Sequence, residues 1–120
     1  MTQPSAVVHL RSAGVSLLLD VTQGRLPAVL HWGADLGPLT AQDAAALAQA
    51  GVTPIPPNSC DVPVRVALLP EAHAGWAGRP GLSGSRDGRS WSPRFTVTGL
   101  TLDGAPIEAS SGDAPVYVEA

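Results

Sequence analysis

Proline and glycine divide this chain into short segments, and their frequent occurrence limits its fold more than any other feature. The 120 residues include 13 glycines and 12 prolines. Proline removes a backbone donor and is excluded from helix interiors and central strands, while glycine favours turns. The apolar runs between these breaks are short, which is typical of strands. The pattern predicts one mainly-β, turn-rich domain, too short for the roughly 250 residues of a TIM barrel.

Three apolar runs in the first third of the chain predict strands. Residues 7–11 and 15–21 flank a Ser-Ala-Gly connection, so we expect them to pair as a hairpin. A third strand is expected at residues 26–32, where Pro27 favours an edge position or a strand start.

A single segment has the sequence of a helix. Thr40 and Asp43 have the spacing of a capping box, with Asp in place of the usual Glu. The alanine-rich residues that follow are strong helix formers, and Gly51 ends the pattern. We therefore expect one short helix over residues 41–50, packed across the mouth of a sheet.

The second half of the chain predicts further strands around a long loop. Residues 62–69 alternate and predict a strand in which Val62, Val64, Val66 and Leu68 share one face. Residues 95–102 and 106–109 flank Asp103-Gly104 and predict a second hairpin. The glycine-rich residues 70–93 between them predict a loop that is functional or flexible.

The chain stops within an apolar run, at residues 116–119. This run predicts a final strand that has only just begun. A chain that stops there suggests a domain that has been cut, so we expect residues 1–120 to form a single, incomplete domain.

Charge and cysteine content exclude several classes of protein. All seven basic side chains are arginine, and ten acidic ones give a net charge of −3. The arginines are scattered and form no basic stripe, which argues against nucleic acid as a partner. Cys60 is the single cysteine, so it cannot form an internal disulfide or a cysteine-based zinc site. The N-terminus lacks a signal peptide or a membrane-spanning core, and we expect a cytoplasmic protein with no membrane partner.

The histidines and serines do not form a catalytic motif. His9, His31 and His73 include no i, i+4 pair for a metal. The Gly-Leu-Ser-Gly-Ser stretch at residues 81–85 differs by one position from a nucleophile elbow. We expect structural or solvent-exposed roles for His9 and His31, whereas His73 lies in the glycine-rich loop and its role stays open. No metal site and no cofactor are expected.

Three separated motifs resemble a known family. Residues 68–84, together with Trp91-Ser92-Pro93 and His31-Trp32-Gly33, resemble the N-terminal domain of glycoside hydrolase family 36 α-galactosidases of the actinobacterial type. The resemblance covers most of the chain. It implies part of an antiparallel β-supersandwich, which in the family precedes a catalytic (β/α)8 barrel and a small C-terminal β-domain. The catalytic barrel is absent from this sequence.

The resemblance also implies that the chemistry lies elsewhere in the parent enzyme. Family members are retaining glycosidases with two catalytic aspartates on barrel loops, and retention requires the carboxyl groups to lie about 5 Å apart. The nucleophile typically follows Lys-Trp, and this sequence has no lysine. Its tryptophans precede Gly33, Ala77 and Ser92. No residue here is predicted to be catalytic, and the chain alone is predicted to be inactive.

Trp76 and Arg79 are the candidate substrate-binding residues. An indole can stack on the apolar face of a pyranose, and a guanidinium can bind several hydroxyls. They would therefore form part of the wall of a sugar pocket in an assembled enzyme. The alternative is that Trp76 and Trp91 fill the seam between this domain and its neighbour.

Two functions remain open. The first is the non-catalytic N-terminal portion of an α-galactosidase, whose full-length parent hydrolyses terminal α-galactosides such as melibiose and raffinose. Its partners would be the parent's barrel domain, further copies of the chain in a homo-oligomer, and a galactosyl oligosaccharide only in the full enzyme. The second is a stand-alone β-sandwich module that binds carbohydrate or a partner and has no enzyme activity.

Overall fold

A computed structural model describes residues 6–59, 63–107 and 116–120. These residues form six strands and one α-helix. The elements are β1 (Ala6–Ser12), β2 (Val15–Asp20), β3 (Ala28–Ala34), α1 (Ala41–Ala50), β4 (Leu100–Leu102), β5 (Ala105–Ile107) and β6 (Val116–Glu119). Two 3-10 turns lie at Thr22–Gly24 and Ala72–Ala74. The predicted mainly-β fold with one short helix is confirmed.

A four-stranded sheet with the order β3-β2-β1-β6 forms the centre of the domain. The predicted hairpin is confirmed, because β1 and β2 pair antiparallel from Val7↔Asp20 to Ser12↔Val15. β2 and β3 are also antiparallel, with a bulge between Leu18 and Leu19. The last strand, β6, was predicted as a strand, but its parallel pairing with β1 was not.

The two-residue turn between β1 and β2 explains the sharp reversal there. Ala13 has a φ of 50° and Gly14 a φ of 76°. Positive φ at both central positions is the geometry of a type I′ turn, whose twist matches that of paired strands.

The third predicted strand begins two residues later than expected, at Ala28. Pro27 directly precedes it, and β3 is an edge strand of the sheet.

The helix is found over the predicted residues. The Asp43 backbone N–H donates to Thr40 Oγ1 at 3.1 Å, and the Thr40 N–H donates to Asp43 Oδ2 at 2.9 Å. This reciprocal pair is the capping box expected from the sequence. One face of α1, centred on the fully buried Ala44, packs against the sheet.

The sheet has a different apolar cluster on each face. Because side chains alternate along a strand, neighbouring residues of β1 belong to opposite faces. On the helix side, Val7 and Leu18 pack with Ala44. On the opposite side, Ala6 and Val8 pack with Val21, and Leu100 of the small β4–β5 sheet covers them.

The second hairpin is shorter than predicted. β4 and β5 pair antiparallel across Asp103-Gly104, as expected. However, the strand begins at Leu100, so residues 95–99 of the predicted strand are irregular. Residues 108 and 109 lie outside the described residues.

The predicted strand at residues 62–69 is wrong. In its described part, residues 63–69, the backbone makes an isolated bridge from Ala67 to Ala28. Val64, Val66 and Leu68 do not form an inward face, because all three are exposed. Arg65 explains the difference, since its guanidinium turns inward and donates to the carbonyls of Leu26 at 2.6 Å and Asp20 at 2.9 Å. Val62 lies outside the described residues.

The long loop is irregular, as predicted. Between residues 70 and 93 the structure contains a single-turn 3-10 helix and one isolated bridge, between Arg86 and Arg89. Across the described ranges, no helix is both long enough and apolar enough to cross a membrane.

Candidate functional site

Six polar side chains, each within hydrogen-bond distance of the next, form a closed ring on the helix side of the sheet. Its members come from β1, β2, β6 and the segment after β3. In order around the ring they are Arg11, Asp35, Ser16, His9, Tyr117 and Glu119. We call this set the polar ring.

Strand geometry explains how these residues meet. His9 and Arg11 are two positions apart on β1, so both point to the helix side, and Tyr117 and Glu119 are related in the same way on β6. The parallel pairing places His9 beside Glu119. The antiparallel pairing places Arg11 beside Ser16.

The contacts around the ring are short. His9 Nε2 lies 2.8 Å from Ser16 Oγ, and His9 Nδ1 lies 2.8 Å from the Tyr117 hydroxyl. Ser16 Oγ donates to Asp35 Oδ1 at 2.8 Å. The Tyr117 hydroxyl lies 2.8 Å from Glu119 Oε2.

Arg11 closes the ring by bridging its two carboxylates. Its Nε and Nη2 donate to the two oxygens of Asp35 at 2.8 and 2.7 Å. Its Nη1 donates to Glu119 Oε1 at 2.8 Å. The ring therefore runs from the core to the surface, because His9 and Ser16 are fully buried while Arg11, Asp35 and Glu119 are partly exposed.

The ionised groups of the ring stabilise one another. The hydrogen bonds from Arg11, then Ser16 and the Gly37 N–H, hold the pKa of Asp35 well below its usual value. The hydrogen bond from Arg11 lowers the pKa of Glu119. In turn, Asp35 and Glu119 raise the pKa of Arg11, so these charges persist across the physiological range.

Burial acts on the two aromatic members of the ring. It lowers the pKa of His9, and the coulombic effect of Glu119 opposes that shift. Burial also raises the pKa of Tyr117, and the negative charge of Glu119 acts in the same direction. At neutral pH, His9 is therefore uncharged and Tyr117 is protonated.

The ring contains serine, histidine and aspartate, but not in the order of a hydrolase triad. In a triad the carboxylate binds the histidine nitrogen that faces away from the serine. Here Asp35 accepts from Ser16 itself, and Tyr117 occupies the second nitrogen of His9. Ser16 Oγ also accepts from the Leu36 N–H at 3.0 Å. Being fully buried, it cannot act as a nucleophile, and the arrangement is structural.

Sequence reasoning missed the ring, apart from the structural role predicted for His9. A signal was present, since His9 and Arg11 interrupt one face of an otherwise apolar strand and Ser16 does the same in β2. The partners Tyr117 and Glu119 lie 108 residues further along the chain, and no local pattern connects them with β1.

Trp76 and Arg79, the predicted sugar-binding residues, lie together in the long loop. The Trp76 indole N–H donates to the Arg79 backbone carbonyl at 3.0 Å. Gly78 lies beneath the indole, where an added Cβ would come within 2.8 Å of Nε1. The Arg79 side chain itself is exposed, so the loop holds the indole in place and leaves the guanidinium available.

A buried carboxylate fixes the base of this loop. Glu71 is buried, and its Oε2 accepts from the Phe95 N–H at 2.9 Å. The same oxygen lies 3.1 Å from His73 Nε2. The contact with Glu71 gives His73 a structural role. The hydrogen bond from Phe95 to Glu71 joins the two ends of the loop.

His31 also has a local contact. Its Nε2 lies 3.0 Å from the Ala34 carbonyl oxygen, near the end of β3. This agrees with the structural or solvent-exposed role predicted for His31. Among the described residues, no group of three or more His, Cys, Asp or Glu side chains could hold a metal ion.

Two tryptophans present large apolar surfaces to solvent. Trp32 is 75% exposed and Trp91 is 71% exposed. Trp32 stands opposite Leu17 on the sheet face that points away from the helix. On that same face, an open groove lies between the sheet and the β4–β5 turn. Its lining consists of Leu10, Val15, Leu17, Leu102 and Ala120 together with Arg11, Ser12 and Asp103.

The fold and these sites define a class of protein: a mainly-β domain whose buried polar groups serve structure, with aromatic side chains left on its surface. Residues 25–115 match the model of the glycosyl hydrolase family 36 N-terminal domain. The chain therefore belongs to this family and corresponds to a non-catalytic portion of a family 36 enzyme, which partners the catalytic domain in the parent. No curated protein and no solved structure is significantly similar to it.

Proposed function

We propose that this chain is the N-terminal, non-catalytic portion of an α-galactosidase, whose full-length parent is cytoplasmic and hydrolyses terminal α-galactosides such as melibiose and raffinose. Its roles are packing against the catalytic barrel, oligomerisation and shaping of the sugar pocket. The observation that carries the proposal is the match to the family 36 N-terminal domain over residues 25–115.

The exposed tryptophans support the packing role. Aromatic side chains are enriched at surfaces that bind other proteins. Trp32 and Trp91 are both more than two-thirds exposed. Aromatic anchors of this kind dominate the energy of protein interfaces.

The stand-alone carbohydrate-binding module is the weaker alternative. A sugar platform needs polar groups beside the aromatic ring, because the pyranose hydroxyls require hydrogen-bond partners. The cross-strand neighbour of Trp32 is Leu17, and the groove on that face is largely apolar. This environment favours a protein surface over a sugar as the partner of Trp32.

The packing role can be tested with the separately expressed catalytic barrel of the parent enzyme. Mixing it with this chain should shift tryptophan emission to shorter wavelength as exposed indoles become buried. Trp91→Ala should weaken binding by about tenfold or more, as for an aromatic hot spot. Val52→Ala, which shortens an exposed apolar side chain after the helix, is the matched control and should leave binding unchanged. Absence of binding would contradict the packing role.

The pocket-shaping role needs the full-length parent. Trp76→Ala and Arg79→Ala should raise KM for melibiose, because both would remove contacts to the bound sugar. Arg86→Ala removes another exposed arginine of the same loop and should leave KM unchanged. An unchanged KM in the Trp76 and Arg79 variants would exclude these residues from the pocket. The 120-residue chain alone should not hydrolyse a chromogenic α-galactoside.

A further inference from the structure

The polar ring contains one proton fewer than its contacts require. Four contacts connect Asp35 with Glu119 through Ser16, His9 and Tyr117. Each contact needs one proton, and the ionised carboxylates at the two ends supply none. The serine and tyrosine hydroxyls supply one proton each, and a neutral imidazole supplies one more. With His9 neutral, one of the four contacts therefore lacks a proton.

The Ser16–Asp35 contact sets the hydrogen-bond directions on the Ser16 side in the neutral state. Asp35 can only accept, and Ser16 Oγ donates to it. Ser16 Oγ then accepts from the Leu36 N–H and from His9 Nε2. With Ser16 donating to Asp35, His9 carries its proton on Nε2, which leaves Nδ1 free to accept from the Tyr117 hydroxyl in the neutral state.

The contact without a proton is then the one between Tyr117 and Glu119. The Glu119 side chain is 35% exposed, so water can donate to its Oε2. Nδ1 of His9 has no such alternative, because His9 is fully buried. The cost of a buried acceptor without a donor decides the direction in which Tyr117 donates.

We propose that the Tyr117 hydroxyl is a proton-dependent switch, donating to His9 while the imidazole is neutral and turning to Glu119 when His9 takes up a proton from solvent. In the protonated state Nδ1–H donates to the Tyr117 oxygen, and all four contacts hold a proton. The ring then carries two positive charges, on Arg11 and His9, and two negative charges, on Asp35 and Glu119.

The groups around His9 place this switch on the acidic side of neutrality. Arg11 on β1 and His31 on β3, across Leu18, both disfavour a charged imidazole. Asp35 after β3 and Glu119 on β6 favour it, but burial is the largest effect and lowers the pKa of His9 overall.

The helix adds no free charge to this environment. Asp43 is the one charged side chain of α1, and Thr40 holds it at the helix start. The titration of His9 is therefore governed by burial and by the charged groups on the strands and directly after β3.

A double-mutant cycle on the 120-residue chain tests the switch. The protonation midpoint of His9 is followed by NMR of 15N-histidine-labelled protein in four chains: wild type, Tyr117→Phe, Glu119→Gln and the double variant. Variants at His31 and His73 assign the His9 signals. Glu119→Gln should lower the midpoint in the wild-type background, because it replaces the charged carboxylate to which Tyr117 turns with a weaker, neutral amide acceptor.

The coupling between the two substitutions is the decisive measurement. In the Tyr117→Phe background, the effect of Glu119→Gln should shrink by about 0.4 pH unit or more, the size expected for residues in contact. An equal effect in both backgrounds would mean that Glu119 acts only through space, and would overturn the switch.

The wild-type chain provides a test that needs no variant. Its 15N shifts at neutral pH should report a neutral His9 with the proton on Nε2. A proton on Nδ1, a charged His9 at neutral pH, or a His9 that stays neutral until the chain unfolds would each overturn the proposal.

Discussion

His9 Nε2 lies 2.8 Å from Ser16 Oγ, and both side chains are fully buried between the sheet and the helix. Ser16 also accepts from the Leu36 N–H and donates to Asp35. One hydroxyl therefore satisfies a buried donor on His9, a partly buried backbone donor and one carboxylate, and it connects β2 with β1 and with the segment after β3.

Ser16→Ala should destabilise the chain by about 2 kcal/mol, because it leaves buried polar groups without a partner. The measurement is the free energy of unfolding from urea titration. Ser12→Ala, at the exposed end of β1, is the matched control and should change stability by less than about 0.5 kcal/mol. Equal effects of the two substitutions would show that the polar ring contributes little to stability.

Acid should destabilise the chain in two stages. The pKa of His9 is lowered in the folded state, so the unfolded chain binds more protons as pH falls below 6.5, and stability decreases there. The pKa values of Asp35, Glu119 and Asp43 are also lowered, which produces a second decrease below about pH 4.5.

Urea midpoints measured between pH 8 and pH 3 would resolve these stages. His9→Gln keeps a polar side chain but cannot titrate, so it should lose the first stage and retain the second. A first stage that persists in the His9→Gln variant would mean that another group is responsible for it.

The features predicted correctly from the sequence are those set by neighbouring residues. The turn at Ala13-Gly14 and the capping box of Thr40 and Asp43 depend on local backbone chemistry, so the first hairpin and the helix follow from the sequence. Features that depend on distant residues were not predicted. The parallel pairing of β6 with β1 is one of them, and the polar ring depends on it.

The wrong strand at residues 62–69 has the same cause. Its alternating valines satisfied the strand pattern, but Arg65 reaches the carbonyls of Leu26 and Asp20, about forty residues earlier in the chain. Pro63 further weakens the pattern, because it cannot donate to a neighbouring strand. The sequence identified Trp76 and Arg79 as candidate sugar-binding residues of one loop, but it did not indicate that the indole binds the Arg79 carbonyl.

The helix cap offers a test of local stability. Thr40→Ala removes the side-chain oxygen that accepts from the Asp43 N–H and should destabilise the chain by about 1 kcal/mol. Gln42→Ala changes an exposed side chain in the same turn and is the matched control. Hydrogen exchange of the first-turn amides should increase in the Thr40 variant alone. Equal protection in both variants would show that packing of Ala44, and not the cap, holds this end of the helix.

Two glycines of the long loop differ sharply in their surroundings. A Cβ added at Gly81 would lie 2.7 Å from the Leu69 Cα, a backbone atom that cannot move by side-chain rotation. The Gly81 N–H also donates to the Pro70 carbonyl at 2.9 Å, so the two segments are held close together. At Gly84, an added Cβ would meet nothing within 4 Å.

Gly81→Ala should therefore separate residues 69–70 from residue 81 and destabilise the chain by about 1–3 kcal/mol, the usual cost of overpacking. Gly84→Ala should change stability by less than about 0.5 kcal/mol. Limited proteolysis of the loop gives a second readout, since the Gly81 variant should be cut faster between residues 70 and 93 while the Gly84 variant is cut at the wild-type rate. Equal stability and equal cleavage in the two variants would show that this close approach does not order the loop that carries Trp76 and Arg79.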